Sequence, residues 1–422
     1  MPEPGDSDSR PRPSPPTSRW STRDLLGPTV LFVGGFLLAA ALALPTLLVG
    51  RLQLIPLSTD VTTVATSVPA DNDTPGNDTP GKDGPSAATT KGPVASATIL
   101  DRCSLNTPTA RTLAATLVRQ QRVVAVQPAD KRVVTLQAGT SVRAERIWLD
   151  GRVVAADSPR PGSQDAPPAG RTACTDAVAS AFKDRVSIDR RSALPALGVT
   201  STGVSGNSEI QYDSNAAPVP APDRRGYTYV LPFGVSVAEH TFFDPVTRRA
   251  VPLVPRGDTQ VAGRSAQRFT AEVPDTDLDA TRSGTTDGVP ATRITRPASW
   301  FGVGGDPARQ LSATLHQTSR WELAVDTATG TILDERIDVE QSYRIADPAL
   351  ADFALVNLKA TFAFDQSTQR EMSDLAGRLA LPVVIWGRVI PIVAGLLGVV
   401  ALVGGLIITV PGLRDRWPHW PR

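Results

Sequence analysis

Side chains able to do chemistry are sparse in this chain of 422 residues. His240, His316 and His419 stand far apart, without the closely spaced His, Cys or carboxylate partners that a zinc site needs. His240 and His316 read as strand-face residues, and His419 falls in a terminal tail. Gly203-Val204-Ser205-Gly206 sets a serine among glycines but lacks the spacing of a nucleophile elbow. Asp334, Glu335, Asp338 and Glu340 offer carboxylates for general acid–base work. Asp338 and Glu340 nevertheless alternate with Ile337 and Val339, as a solvated strand face would. Cys103 and Cys174 are not in the C-x-x-C form of a redox pair. A bridge between them would close a loop of about 71 residues and stabilise the fold by roughly 4 kcal/mol; two unconnected buried thiols are the alternative. No catalytic, cofactor-binding or metal-ligating residue is assigned, and no cofactor is expected.

Four aspartates share another pattern, an apolar residue and Asp followed three positions on by Ser or Thr: Asp189–Ser192, Asp244–Thr247, Asp326–Thr329 and Asp365–Thr368. An Asp at the first position of a turn accepts from backbone amides two residues on, so these read as similar tips of long hairpins, not as metal ligands. Gly330 would supply the left-handed position of a bulged hairpin.

The elements that must position these residues are mostly strands. Short Val-rich runs at Arg122–Val126, Arg132–Gln137 and Val142–Leu149 are separated by Pro128-Ala129-Asp130 and Gly139-Thr140, a meander of antiparallel strands. Further runs cover Tyr227–Leu231, Gln267–Val273, Leu311–Leu315, Trp321–Val325, Ile332–Glu340 and Ala354–Phe364. Helices are expected between the termini only at Thr109–Arg119 and Cys174–Phe182, where apolar residues recur at three and four.

Two apolar segments, Pro28–Gly50 and Val389–Val410, enclose everything else. Each has roughly 22 residues without a charge, about 33 Å of helix, enough for the hydrocarbon core of a bilayer. A cleaved secretory signal is the rival reading of the first, given Ala39, Ala40, Ala41 and Ala43. The apolar run continues through Leu44–Val49, however, after a long polar leader, which favours a retained anchor. Arg10, Arg12, Arg19 and Arg23 precede the first span and only Arg51 closely follows it, so both termini are expected in the cytoplasm. Trp20, Trp386, Trp417 and Trp420 lie near the expected interfaces. Gly35, Ala39 and Ala43 in the first span, and Ala394, Gly398, Ala401 and Gly405 in the second, offer small-residue faces for helix packing, or stripes that an Ala-rich chain produces by chance.

The fold class expected is thus membrane-anchored and mainly β (α+β), with two transmembrane helices flanking a β-rich extracytoplasmic domain. Its parts are an N-terminal tail 1–27, a span 28–50, the domain 51–387, a second span 388–411 and a C-terminal tail 412–422. Within the domain, 69–93 is rich in Pro, Thr, Gly and Asp, repeats Asn-Asp-Thr-Pro-Gly in tandem, and reads as a flexible tether. The stretch Asp157–Gly170 reads as a loop. The 38 Arg against 5 Lys, with abundant Ala and Pro, suggest a high-GC genome such as an actinobacterium. Net charge is +1 and no basic cluster is interleaved with aromatic rings, so no nucleic-acid partner is expected.

Gly27-Pro28 opening the first span, Arg51-Leu52 closing it, and the run Ile55-Pro56-Leu57-Ser58-Thr59-Asp60-Val61-Thr62-Thr63-Val64 form a distinctive block. With Asp189-Arg190, Tyr229-Val230-Leu231-Pro232-Phe233-Gly234 and Phe242-Phe243-Asp244-Pro245, the chain resembles the actinobacterial family of unknown function DUF3068, also labelled the porin PorA family. The likeness covers nearly the whole chain. It implies an integral cell-envelope protein with an extracytoplasmic domain between two membrane helices, and in mycolate-bearing relatives a link to envelope glycolipid assembly. The Thr-Pro-Gly tether and the insertion-like stretch Pro274–Ser299 depart from the family pattern. The resemblance carries over no catalytic residue.

A transmembrane barrel needs many strands of 9 to 11 residues and aromatic girdles, whereas this chain has 11 Phe, 4 Tyr and polar-interrupted strands. A pore of oligomerised helices would lack a polar lining. The expected function is that of a non-enzymatic envelope protein whose ectodomain binds a lipid, glycolipid or partner protein, in an apolar cleft of a curved sheet. The alternatives are a membrane-anchored hydrolase or transferase, and an oligomeric channel.

Overall fold

The computed structural model describes residues 22–69, 94–158, 174–199, 203, 205–282 and 288–409. Nearly all of the 69–93 tether, most of Asp157–Gly170, the basic N-terminal tail and the C-terminal tail with His419 lie outside the described residues. Two compact units emerge, one formed by the terminal segments up to Leu52 and from Leu381, the other by Gln53–Ala380.

In the terminal unit, α1 (Thr22–Leu44) passes through a π-helical stretch, Pro45–Val49, into the short α2 (Gly50–Leu52). The second helical run reaches from Gln366 to Thr409, longer than the span expected at 388–411. Its last part is a π-helical stretch, Ile385–Val389, followed by Ile390–Thr409. The two helices pack antiparallel: Gly27 meets Thr409, Gly34 meets Gly398 and Leu402, Ala41 meets Gly395, and Val49 meets Gly387. A Cβ at Gly34 would stand 2.9 Å from the Gly398 carbonyl oxygen and from the Leu402 amide nitrogen.

This face differs from the expected stripe on the first helix. Gly35 has open space around its α-carbon, and Ala39 and Ala43 are exposed. The contact positions are Gly27, Leu31, Gly34, Leu38 and Ala41. A strict spacing of four rotates a face by about 40° per step, whereas alternating four and three holds it in place. The second helix carries the alternating pattern, and Ala394, Gly398 and Gly405 are buried with Ala401 half-buried.

The central unit is one large antiparallel sheet with a small ribbon beside it. Its first half comprises β1 (Asp60–Val68), β2 (Ala97–Leu100), β3 (Thr112–Ala129), β4 (Val133–Leu149), β5 (Arg152–Ala155) and β6 (Val178–Asp189). The two-residue strands β7 (Gly198–Val199) and β8 (Ser205–Gly206) form the ribbon, and β9 (Ser208–Gln211) and β10 (Val219–Pro220) return to the sheet. The second half comprises β11 (His240–Asp244), β12 (Arg249–Val261), β13 (Arg264–Asp277), the turn of helix α3 (Leu278–Thr281), β14 (Arg293–Pro297), α4 (Ala298–Phe301), β15 (Gln310–Asp326), β16 (Thr331–Ile345) and β17 (Ala354–Phe364). The helix α5 (Gln366–Val384) follows, and α6 (Ile390–Thr409) is the second apolar helix.

Among the described residues the sheet has 15 strands, twelve of them in the order β10-β9-β6-β4-β3-β1-β17-β16-β15-β13-β12-β11 with β14 paired to β15, β5 to β4, and β2 to β17 and β3, so both ends of the domain's chain meet where β1 pairs with β17. β2 also lies between β17 and β3, continuing the lane of β1. The two ends of the strand order approach through side chains: the Tyr212 hydroxyl donates to the Pro245 carbonyl at 2.6 Å, and Arg248 donates to the carbonyl of Pro220. Phe269, Leu253, Trp321, Leu323 and Ile337 fill one enclosed cluster together with Leu136, Val186 and Ile188 from the other half. Met372 and Ala376 of α5 pack in a second cluster with Ala324, Leu333, Val261 and Ala266.

Neither helix expected between the termini forms. Thr109–Arg119 and Cys174–Phe182 supply much of β3 and the start of β6. Within β3 Leu113, Ala115 and Leu117 are buried at period two while their neighbours are half-buried, so both parities are apolar and imitate a spacing of three and four. Gly139-Thr140 is no turn either: it sits inside β4, where Gly139 pairs with Arg122 on one side and Lys183 on the other. Tyr227–Leu231 is irregular apart from one bridge, Tyr227 to Phe242. Leu311–Leu315 and Trp321–Val325 belong to a single strand, β15.

The aspartates are turn residues. Asp189 accepts from the amides of Arg191 and Ser192, Asp244 from Val246 and Thr247, and Asp326 from Ala328 and Thr329. Gly330 closes the β15–β16 tip at φ 72°, and a Cβ there would lie 2.0 Å from the Leu231 carbonyl oxygen. Asp365 differs: it starts α5, its carboxylate accepting from the Thr368 amide at 2.7 Å. Burial would raise its pKa, but hydrogen bonds from Thr368 and Ser367 hold it below the usual carboxylate range. That stabilisation is present above the unfolded-state pKa and is lost as pH falls through the lower folded value. Asp365→Ala should therefore lower stability by about 1 kcal/mol at neutral pH, and the difference from the natural protein should shrink in acid when unfolding is followed by circular dichroism.

Candidate functional site

Cys103 and Cys174 are bridged, with α-carbons 5.7 Å apart, joining the short turn after β2 to the approach to β6. Beside that turn, Trp300 of α4 donates its indole N–H to the Ser104 carbonyl at 2.9 Å.

The four acidic residues on β16 separate. Glu335 points into the domain and meets the guanidinium of Arg119 at 2.6 Å, both side chains being buried. Burial pushes the Glu335 carboxyl up, against the opposing pull of Arg119. Asp334 accepts from Gln369 of α5 at 3.0 Å. Asp338 and Glu340 lie on the opposite face from Glu335, Asp338 accepting from Thr361 and Glu340 meeting Lys359. His240 rests on the Ser236 carbonyl at 2.9 Å, between the rings of Tyr227 and Phe269. His316 meets Asp275 at 3.3 Å. Among the described residues, no three His, Cys, Asp or Glu side chains gather as a metal site. Gly203 lies between β7 and β8 and Ser205 opens β8, so no strand-to-helix elbow forms there.

Asp338 and Glu340 lead instead to a cleft of about 1290 Å³ lined by β13, β15, β16, β17 and β2. The registers Glu272–Arg320–Asp338–Thr361 and Thr318–Glu340–Lys359–Thr98 place two polar ladders side by side across it. Arg320 lies 3.3 Å from Glu322 and 3.8 Å from Glu272, Lys359 lies 3.3 Å from Glu340, and the Thr361 hydroxyl donates to Asp338 at 2.6 Å. These ion pairs are solvent-exposed, and such pairs contribute about 0–1 kcal/mol each. They are too weak to be needed for the fold, and an incoming polar group can replace them.

The cleft differs from the apolar one expected from the sequence in that charged and hydroxyl side chains line it together with Val94, Ala97, Val339 and Ala360. The alternation that points Phe269, Trp321 and Ile337 inward points Glu272, Arg320 and Asp338 outward, and the interior is filled with side chains. No sequence signal brought Glu272, Arg320, Arg336 and Lys359 together, because only strand register does so. The trace that was readable is a charged residue at every second position from Asp334 to Glu340 of β16, with Arg320 and Glu322 spaced likewise in β15.

A sheet domain with a filled apolar core, joined to two helices apolar enough to cross a membrane, defines a membrane-associated, mainly β protein. The family model described as Porin PorA matches residues 26–407, and the chain belongs to that family. A protein named Porin PorA from Corynebacterium amycolatum is 24% identical over 413 residues, an alignment covering 91% of this chain and 98% of that relative.

Proposed function

We propose that this chain is a non-enzymatic, two-pass envelope protein with cytoplasmic termini, whose extracytoplasmic sheet domain binds the polar headgroup of an envelope glycolipid in the outward cleft. The observation that carries the ligand class is the cleft lining. Among the described lining residues, acids and bases alternate with hydroxyls from Thr98, Thr318, Ser319 and Thr361 beside small apolar side chains such as Ala97, Val339 and Ala360, and none carries an aromatic ring. Such a surface suits a hydroxyl-rich group better than an acyl chain, and its volume exceeds that of ordinary small-molecule pockets, roughly 300–1,000 Å³. Alternating charge also suits the surface of a partner protein, the second reading.

Polarity argues against a pore made by the sheet. A membrane-spanning barrel is apolar outside and polar within. Here Arg143, Lys183, Arg268, Glu272, Arg320 and Glu340 are exposed on the sheet while Phe269, Leu253 and Phe362 are buried. The two apolar helices carry no acidic or basic residue between Leu25 and Gly50 or between Val389 and Thr409, which would leave a helix-built pore without a polar lining.

Native mass spectrometry of the full-length protein, extracted from its own membrane, should find a bound glycolipid. Arg320→Ala with Lys359→Ala should lose it while changing stability by no more than about 0.5 kcal/mol per site, since both side chains are exposed. Bare natural protein would reject the ligand, and retention by the double variant would reject the site. Protease added to intact spheroplasts should cut within residues 53–380; protection of that region would reject the topology.

A further inference from the structure

The rim of the sheet nearest in the chain to the first apolar helix has its own chemistry. That helix ends at Leu52, and Leu57, about five residues on, can stand no more than ~18 Å away even if the chain is fully extended. The register Asp60–Val124 places the far end of β3 beside the start of β1, so the β3–β4 turn at Asp130–Arg132 belongs to the same rim. The turn after β6 is stitched to both. The Ile55 amide donates to the Arg190 carbonyl at 2.9 Å, the Arg190 side chain returns a bond to the Ile55 carbonyl at 2.8 Å, and the Arg190 amide donates to the Arg132 carbonyl at 2.7 Å.

The outer surface of these three segments is both apolar and basic. Leu57 is 47% exposed and Leu194 41% exposed. Lys131, Arg132 and Arg191 are exposed around them. The nearby acids are turned to local work: Asp130 accepts from the amides of Arg132 and Val133, Asp189 from those of Arg191 and Ser192, and Asp60 is paired with Arg122 at 2.8 Å. Protruding leucines among lysine and arginine are the composition of a surface that enters the headgroup layer of a bilayer.

We propose that this rim is a membrane-docking surface. Leu57 and Leu194 insert into the interfacial layer of the bilayer that holds the first helix, and Lys131, Arg132 and Arg191 rest on anionic phospholipid headgroups. The proposal relies on the first helix spanning that bilayer and is independent of what the cleft binds. Docking would fix the sheet domain against the membrane at a third place besides its two covalent connections, and so set the direction in which the cleft opens.

Spin labels on the full-length protein in vesicles test this. The natural cysteines are bridged to each other, so Leu57→Cys, Leu194→Cys and Val153→Cys each present a single thiol. Val153 follows the other end of β4, roughly 50 Å along that strand from Val133. In vesicles of phosphatidylcholine with phosphatidylglycerol, labels at 57 and 194 should be reached by oxygen and shielded from a water-soluble nickel chelate, while the label at 153 stays open to the chelate. Lys131→Gln and Arg191→Gln should each lower the ratio of docked to free signal about fivefold, the factor that corresponds to ~1 kcal/mol per basic residue. Labels at 57 and 194 as open to the chelate as that at 153 would overturn the docking surface. Equal shielding in phosphatidylcholine alone would overturn the role given to anionic headgroups.

Discussion

Asp184→Ala should destabilise the sheet domain by about 3–5 kcal/mol, the loss expected when one partner of a buried ion pair is removed. Asp184 lies in the middle of β6 and is fully buried, with Arg224 at 2.7 Å on one carboxylate oxygen and the Tyr229 hydroxyl at 2.6 Å on the other. Arg224 also donates to Thr228 at 2.8 Å and stands 4.5 Å over the ring of Phe243 in β11. Burial would lower the Arg224 pKa, but the Asp184 carboxylate outweighs it and holds the guanidinium above its usual value. Burial and the same carboxylate keep the Tyr229 hydroxyl protonated well past its ordinary range. The pair thus ties β6, near one end of the strand order, to β11 at the other. Without Asp184 a cation remains in the core, and the total stability of a domain is typically only about 5–15 kcal/mol. Asp184→Leu combined with Arg224→Met should recover most of the loss, because neither charge is then left alone. Urea unfolding of the full-length protein in detergent reads both variants, and a loss below about 1 kcal/mol for Asp184→Ala would contradict the assignment.

Gly34→Leu should disrupt the pairing of the two apolar helices, and Gly35→Leu should not. At Gly34 the first added carbon meets backbone atoms of Gly398 and Leu402, which cannot swing aside as a flexible side chain could. Close backbone approach at small residues is what holds membrane helices together, since lipid offers no hydrophobic drive for their association. The pairing can be read with Ala41→Cys and Gly395→Cys, whose β-carbons would lie 3.8 Å apart, the usual separation in a disulfide. Added to that pair, Gly34→Leu should cut crosslinking to about a tenth or less, a loss of ~1.4 kcal/mol in pairing. Gly35→Leu should leave it unchanged.

The contrast between Gly34 and Gly35 shows how far the amino-acid sequence reaches. Apolar length alone located the helices, and period two located the strands around Gln267–Val273 and Ala354–Phe364. It did not show where strands merge, because Gly139 can sit in an extended strand as readily as in a turn. It also failed at Thr109–Arg119, where burial on both faces removes the alternation that distinguishes a strand. The Asp-x-x-Ser/Thr tips were legible because their chemistry is local. The outward cleft was not: Glu272 and Lys359 come together only after β13, β15, β16 and β17 have taken their register. Buried Glu335 likewise reads as one more surface acid until β16 is seen to turn it toward Arg119.

The sheet folds around an apolar core, and we propose that it opens no passage through a membrane although its family is described as Porin PorA. Planar-bilayer recording with the purified full-length protein tests this directly. A conductance no different from that of protein-free bilayers is expected. Reproducible conductance steps that change size when exposed sheet residues such as Lys183 or Arg320 are replaced by glutamate would contradict it.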